Sequence, residues 1–325
     1  MNSKNVLVLG AGVSGLTTAL ELIRAGHKVT IWSKEPIGLL PTTSANAYAM
    51  WVPVKIDGDA RVERWANETL EALEKLSKDT NTGVTMRQIF VLRQTHEEPW
   101  YAGKVASFRH ARDGEISKEY KDAHVLDKAP IIDPPVFLAW LRRQVIAAGG
   151  KISQHEVKQW SDCPSEFEVI VNCAGLGARE LANDKTLFPE RVQVVKVRAN
   201  GFDKVVIDDD GPNKRACVVP HRDHIKLGGV FDGPQESLDV DDQATRDILE
   251  RCSKMTGCRF TLSDVISASR ALRPERSLTR VEQEKLSDGR QLVHNYGHDG
   301  MGFILSHGIA REIAGYLSDS SPASE

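Results

Sequence analysis

An α/β fold, α+β overall, is what this 325-residue sequence predicts: a parallel βαβ layer with an antiparallel-sheet domain inserted into it. Three observations lead there. The apolar run Val6-Leu7-Val8-Leu9 passes directly into Gly10-Ala11-Gly12-Val13-Ser14-Gly15, and apolar residues at helical spacing follow. A second buried-strand run, Val169-Ile170-Val171-Asn172, lies far downstream and ends in Cys173-Ala174-Gly175. The middle of the chain is built from short strands separated by turn residues, the texture of antiparallel sheet.

The first element is a strand apolar on both faces, as a central parallel strand must be. Its Gly-x-Gly-x-x-Gly turn then meets three backbone needs. Gly10 permits the tight turn, Gly12 lets the backbone approach a phosphate, and Gly15 lets the helix pack closely on the strand. Leu16, Ala19, Leu20, Leu22 and Ile23 give that helix its buried face. Its N-terminus, Val13 and Ser14 included, presents free N–H groups to an anion. Strand, turn and helix together seat a dinucleotide pyrophosphate. A second strand, Lys28-Val29-Thr30-Ile31-Trp32, follows Gly26. An acidic residue often closes this strand and holds a ribose hydroxyl. Ser33 stands there instead, followed by Lys34 and Glu35. Either Glu35 reaches the ribose, or the Lys34 ammonium meets the adenosine side; both stay open.

The stretch from Leu39-Leu40-Pro41 to Val52-Pro53 runs from small and polar to apolar. Helical spacing of Val62, Trp65, Ala66, Leu70, Leu73 and Leu76 predicts a helix over residues 59–77. Alternation predicts a strand over 84–92, whereas residues 98–130 show no clear period. Pro134-Pro135 opens an apolar helix that stops at Gly149-Gly150. Strands are expected at 169–172, between 192 and 206, at 216–220, at 225–230 and at 291–295, with helices over 242–256 and 303–317. The nucleotide-binding domain is then discontinuous, over 1–60, 135–190 and 286–325, and the inserted domain covers 61–134 and 191–285.

A net charge of −3 with dispersed basic residues excludes a nucleic-acid or anionic-membrane partner as an expectation. No apolar window approaches the roughly 18 residues a membrane helix needs. Five cysteines, an odd number without metal-like spacing, read as reduced thiols. His294 and His298 lack a third ligand at suitable spacing and read as structural, so no metal is expected. The N-terminus enters its first strand at once and the tail, Ser318 to Glu325, lacks a Ser-Lys-Leu address. A cytoplasmic location is the expectation.

Five segments, in order and spanning nearly the whole chain, resemble the D-amino-acid oxidase family of FAD-dependent amine oxidases. They are Gly10 to Leu16; Thr42-Thr43-Ser44 through Trp51-Val52-Pro53; Val169 to Gly175; Arg273-Pro274-Glu275-Arg276; and His294 to Gly302. The resemblance implies an FAD-binding Rossmann-like domain carrying a substrate domain. It implies that Thr42, Thr43 and Ser44 pass along FAD and that backbone N–H groups of Ala49 and Met50 face the flavin N5 edge. It places Cys173, Ala174 and Gly175 on the cofactor, and the turn and helix start at Asp299, Gly300, Met301, Gly302, Phe303 and Ile304 along the flavin. It also makes Arg276, the second arginine of its segment, the grip on the substrate carboxylate and a cofactor neighbour, while Arg273 reads as a structural ion-pair residue. Gly300, Cys217 and Val52 fall at substrate-pocket positions.

The implied reaction dehydrogenates the Cα–N bond of an amino acid, a D-amino acid first of all, with hydride passing to flavin N5 and no protein acid or base. Dioxygen then takes the electrons to give hydrogen peroxide, and the imine hydrolyses to keto acid and ammonia. The implied partners are an amino acid, dioxygen and, as assembly, a homodimer. One departure stands out. Two pocket tyrosines of better-known members are missing from Gly211 to Pro220, with Cys217 at the nearer position. Arg215, Arg222, Tyr48 and His221 are the candidates to replace them. An FAD oxidase or dehydrogenase of a pathway-specific or N-alkyl amino acid, a non-catalytic cofactor-binding protein and an NAD-dependent dehydrogenase are the alternatives.

Overall fold

The computed structural model of the protein describes residues 3–35, 42–53, 59–105, 107–213 and 215–318. Leu39 to Pro41, Lys214 and the tail beyond Ser318 lie outside the described residues. The chain alternates between two sheets. It begins with β1 (Asn5–Leu9), α1 (Val13–Arg24) and β2 (Lys28–Ser33), then passes α2 (Thr43–Asn46) and α3 (Ala60–Leu76). A first excursion makes β3 (Val84–Arg93), β4 (Phe108–His110) and β5 (Asp122–Ile132). The chain returns through α4 (Pro134–Ala147), β6 (Lys151–Gln154), β7 (Val169–Asn172) and α5 (Ala178–Leu181). A second excursion adds β8 (Phe188–Arg198), β9 (Val205–Asp208), β10 (Cys217–Pro220), β11 (His224–Phe231), α6 (Asp242–Thr256) and β12 (Val265–Glu275). Finally β13 (Arg280–Lys285), β14 (Gln291–Tyr296) and α7 (Gly302–Ser318) come back to the first layer.

Among the described residues the first sheet has the order β13-β14-β7-β1-β2-β6 and the second β12-β8-β11-β10-β9-β3-β5-β4. β1 lies parallel to both β2 and β7, so Val8 faces Ile31 on one side and Val171 on the other. Helices α1, α4 and α7 cover one face of this sheet, and Cys163, Phe167, Ile170 and Leu292 pack on the other. This is why β1 and β7 are apolar at nearly every position. The second sheet is antiparallel except for β3, which runs parallel to β9 with Ile89 opposite Val205.

Local signals explain the helices. Asp59 caps α3 by accepting from the Arg61 and Val62 amides, and Asp241 caps α6 through Gln243 and Ala244. α3 packs on α7, where Gly308 admits the Trp65 backbone; a Cβ there would lie 2.3 Å from the Trp65 Cα. Glu312 on α7 accepts from Trp65 Nε1 at 2.7 Å and from Arg61 Nε at 2.9 Å. The expected boundaries put both α3 and residues 280–285 with the inserted domain. Packing and pairing place α3 on α7 and β13 on β14, in the first layer. Among the described residues no helix is long and apolar enough to cross a membrane.

Candidate functional site

The carboxyl ends of β1, β2 and β7 and the inner face of the second sheet enclose a cavity of about 1180 Å³. Ligands of open α/β sheets bind at this end of the strands. The glycine turn forms its floor. Gly10 has φ +106, and a Cβ there would meet the Cys173 carbonyl oxygen at 2.3 Å. A Cβ on Gly15 would lie 1.9 Å from the Gly10 oxygen, so the start of α1 can rest on the turn only if that residue is glycine. Gly12 caps α1 without a side chain, and the first turn carries no acid. The Ser44 hydroxyl accepts from the Val13 amide at 3.2 Å, which places its own proton beside the helix N-terminus. Backbone donors, bare Cα atoms and a helix dipole make a seat for an anion.

A second helix N-terminus opens onto the same cavity. Gly300, Met301, Gly302, Phe303 and Ile304 line it where α7 begins, again with no acid in the first turn. Asp299 takes φ 50 to make the preceding turn. Buried His298 bonds to Asn295 Oδ1 at 2.8 Å, and burial pushes its pKa down to about 4, so it is neutral. His294 lies between Asn172 and Glu284, at 3.3 and 3.2 Å, in a hydrogen-bonded role.

The third wall comes from the stretch after β2. Thr42 caps α2 by accepting from the Ala45 amide at 3.2 Å, and the Thr43 hydroxyl donates to the Leu272 carbonyl at 2.6 Å. That bond fastens α2 to β12. Met50 forms a lone antiparallel bridge with Ile131, flanked by Trp51 N to Pro130 O and Ile132 N to Ala49 O, both 2.9 Å. In this pairing the Met50 N–H points to the opposite edge of its segment.

The substrate-sized end is closed by Arg273 at the end of β12. Its guanidinium lies under Gly300, where a Cβ would be 3.2 Å from Arg273 Cζ. Nη2 donates to the Tyr48 hydroxyl at 3.4 Å, and Nη1 lies 3.7 Å from Glu190 and 3.9 Å from Asp299. Met50, Val52, Val194 and Cys217 form apolar walls nearby. Burial pushes the Cys173 thiol up to about 12, so it stays a neutral packing group.

A family model described as FAD dependent oxidoreductase matches residues 5–316. The chain belongs to that FAD-dependent oxidoreductase family. It is 35% identical over 310 residues to a D-amino-acid oxidase of Rubrobacter xylanophilus, covering 95% of this chain and 94% of that one. It is 34% identical over 318 residues to a D-amino-acid oxidase of Streptomyces coelicolor, covering 95% of each. Among solved structures, glycine oxidase from Geobacillus kaustophilus superposes with a TM-score of 0.80 at 18% identity, over 99% of this chain and 97% of that one. Members of this family are FAD-dependent enzymes, and the two helix N-termini and bare-backbone cradle at Gly10 and Gly12 suit a dinucleotide of that kind.

The cofactor and pocket residues expected from the sequence line the cavity, except Gly15 and Arg276; of the four candidates to replace the missing tyrosines, Tyr48 and Arg215 line it and His221 and Arg222 do not. Gly15 lies behind the turn and serves packing. Arg276 is a correction. Its Nε donates to Asp184 Oδ2 at 2.9 Å, its Nη1 to the Leu278 carbonyl at 2.5 Å, and its stem rests on Gly297. β12 ends at Glu275, and past that end the chain carries Arg276 to Asp184 while Arg273 stays in the cavity wall. Asp184 is buried, which opposes its charge. Thr186, Tyr296 and Arg276 nevertheless hold its carboxyl well below the usual range.

The FAD-dependent fold also recruits residues that sequence reading missed. β6 pairs with β2 and carries His155, Glu156 and Val157 to the cavity end beside Ser33. His155 lies against the Trp32 ring at 4.1 Å between centroids. Lys34 is paired with Glu156 at 2.9 Å, while Glu35 lines the cavity next to it. Only the sheet order could have drawn attention to residues 155–157.

Proposed function

We propose that this member of the FAD-dependent family oxidises the Cα–N bond of an amino acid, with D-amino acids the leading class. The product imine hydrolyses to a keto acid and ammonia, and dioxygen is the terminal acceptor, giving hydrogen peroxide. One observation carries the reading: a guanidinium, Arg273, 15% exposed, set in the wall of an otherwise largely apolar pocket under the Gly300 turn. The names of the Rubrobacter xylanophilus and Streptomyces coelicolor relatives point to the same substrate class.

FAD, when bound, supplies a two-electron acceptor for the substrate hydride. Gly10, Gly12, Val13, Ser14 and Ser44 would hold its pyrophosphate, and Lys34, Glu35 and His155 border the adenosine end. Ala49, Met50 and the α7 start from Gly300 to Ile304 would border the flavin. Arg273 matches a carboxylate with two parallel charge-assisted hydrogen bonds. Fixing the carboxylate fixes the direction of the Cα–H, which is where the protein contributes to rate. Met50, Val52 and Cys217 keep water from the reacting carbon, and the α7 dipole favours negative charge beside it. The neutral His298, committed to Asn295, supplies no base.

The test is Arg273→Met on FAD-loaded protein, assayed by peroxide release against D-, L- and N-methyl amino acids. Loss of a buried, doubly bonded charge pair predicts a fall in kcat/KM of roughly 10²–10³-fold with flavin absorbance retained. An unchanged rate with any α-amino acid substrate would refute the assignment.

A further inference from the structure

The cavity contains a second polar group at the guanidinium whose geometry has a use. Tyr48 projects from the segment between α2 and the Met50 bridge, and its ring edge packs against β11 at Gly228. A Cβ at Gly228 would stand 2.4 Å from Tyr48 Cε1 and 2.9 Å from Cζ, so the phenol fits only over bare backbone. Gly228 is the register partner of Cys217 across β10 and β11. A short thiol on one strand and no side chain on the next leave a gap, and the Tyr48 ring fills it. The backbone just before it is pinned as well, because buried Lys226 donates to the Ala47 carbonyl at 2.7 Å. The hydroxyl is therefore held in place before any ligand arrives.

Its oxygen lies 3.4 Å from Arg273 Nη2. A guanidinium only donates, so the phenol oxygen accepts there and its own proton must point elsewhere. Both groups line the same cavity, and among the described residues no acceptor takes that proton. Burial, the largest influence, pushes the phenol up to about 12 despite the neighbouring Arg273, so it is protonated at neutral pH.

We infer that the Tyr48 hydroxyl is the second donor to the substrate carboxylate, completing with Arg273 a clamp for an α-carboxylate. This rests on the reading of Arg273 as the carboxylate grip. The clamp is assembled from the loop after α2 and from β12, which the Thr43 to Leu272 bond ties together.

Tyr48→Phe tests it, because the ring and its seat on Gly228 remain. FAD-loaded protein is titrated with benzoate, a carboxylate without an amine, and with benzamide, its neutral counterpart, following the flavin absorbance. The expected result is roughly tenfold weaker benzoate binding in Tyr48→Phe, with benzamide binding unchanged, and a larger loss in Arg273→Met. Gly228→Ala, which displaces the ring without removing the hydroxyl, is expected to weaken benzoate as well. Unchanged benzoate affinity in Tyr48→Phe, with affinity lost in Arg273→Met, overturns the role of Tyr48 and leaves the Arg273 reading standing. Unchanged affinity in both variants overturns the carboxylate grip itself.

Discussion

Arg276→Met separates a structural arginine from a substrate-binding one. The side chain makes a 2.9 Å bond to the Asp184 carboxylate and a 2.5 Å bond to the Leu278 carbonyl. Asp184 is 8% exposed, and afterwards it would keep Thr186 and Tyr296 as donors. Removing one charge-assisted bond costs about 1.5–3 kcal/mol, and breaking a buried pair outright about 3–5. The surviving donors put this case near the overlap, at about 3 kcal/mol. An unfolding entropy of about 2.1 cal/mol/K per residue makes that a drop in Tm of roughly 4 °C for a chain of this length. Scanning calorimetry of FAD-loaded protein reads the shift, and peroxide release on the same sample is expected to give kcat/KM within about threefold of wild type. An unshifted Tm with turnover lost would refute the placement of Arg276 outside the pocket.

Two further outcomes follow from the same geometry. Gly15→Ala sets a methyl where the Gly10 carbonyl oxygen lies, 1.9 Å from the ideal Cβ, so the α1 start must move. FAD retention after gel filtration is expected to fall at least tenfold, while the second sheet, remote from α1, keeps its far-ultraviolet signature. Acid should also weaken the fold in a defined window. Burial pushes His221 and His307 down to about 3 and His298 to about 4, against 6.5 for the unfolded chain. The unfolded state therefore takes up protons first, so stability is intact above about pH 6.5 and declines toward pH 4, by up to about 1.4 kcal/mol per pH unit for each histidine. Urea midpoints at pH 7 and pH 5 measure this, and His307→Leu is expected to flatten the decline; an identical pH slope in that variant would count against it.

Legibility in the sequence followed the strength of local signals. The Gly10 turn, the buried runs of β1 and β7 and the helices capped by Asp59 and Asp241 are visible because backbone need and side-chain pattern coincide there. β5 was hidden because exposed Asp127 and Lys128 interrupt its apolar alternation at a register shift against β3. β12 was hidden because its buried positions include charges: Arg270 is 6% exposed and bonds Gln193 Oε1 at 2.7 Å. Arg273 and Arg276 carry equal local signal. Only the end of β12, which turns one into the cavity and the other to Asp184, distinguishes them. His155 sits just past a short, mostly polar edge strand, so no periodicity marked it.

The strand order of the first sheet has a consequence for how the cofactor is acquired. β14 lies beside β7, and the helix start that completes the cavity follows it, near residues 300–304. During synthesis the Gly10 turn and β7 both precede β14, so the edge of β7 away from β1 has no neighbour until residues 291–296 have left the ribosome. The two halves of the binding cleft are thus separated by the synthesis of the whole segment between them. Tight FAD capture is therefore expected to follow the docking of β14, which also covers the open β7 edge.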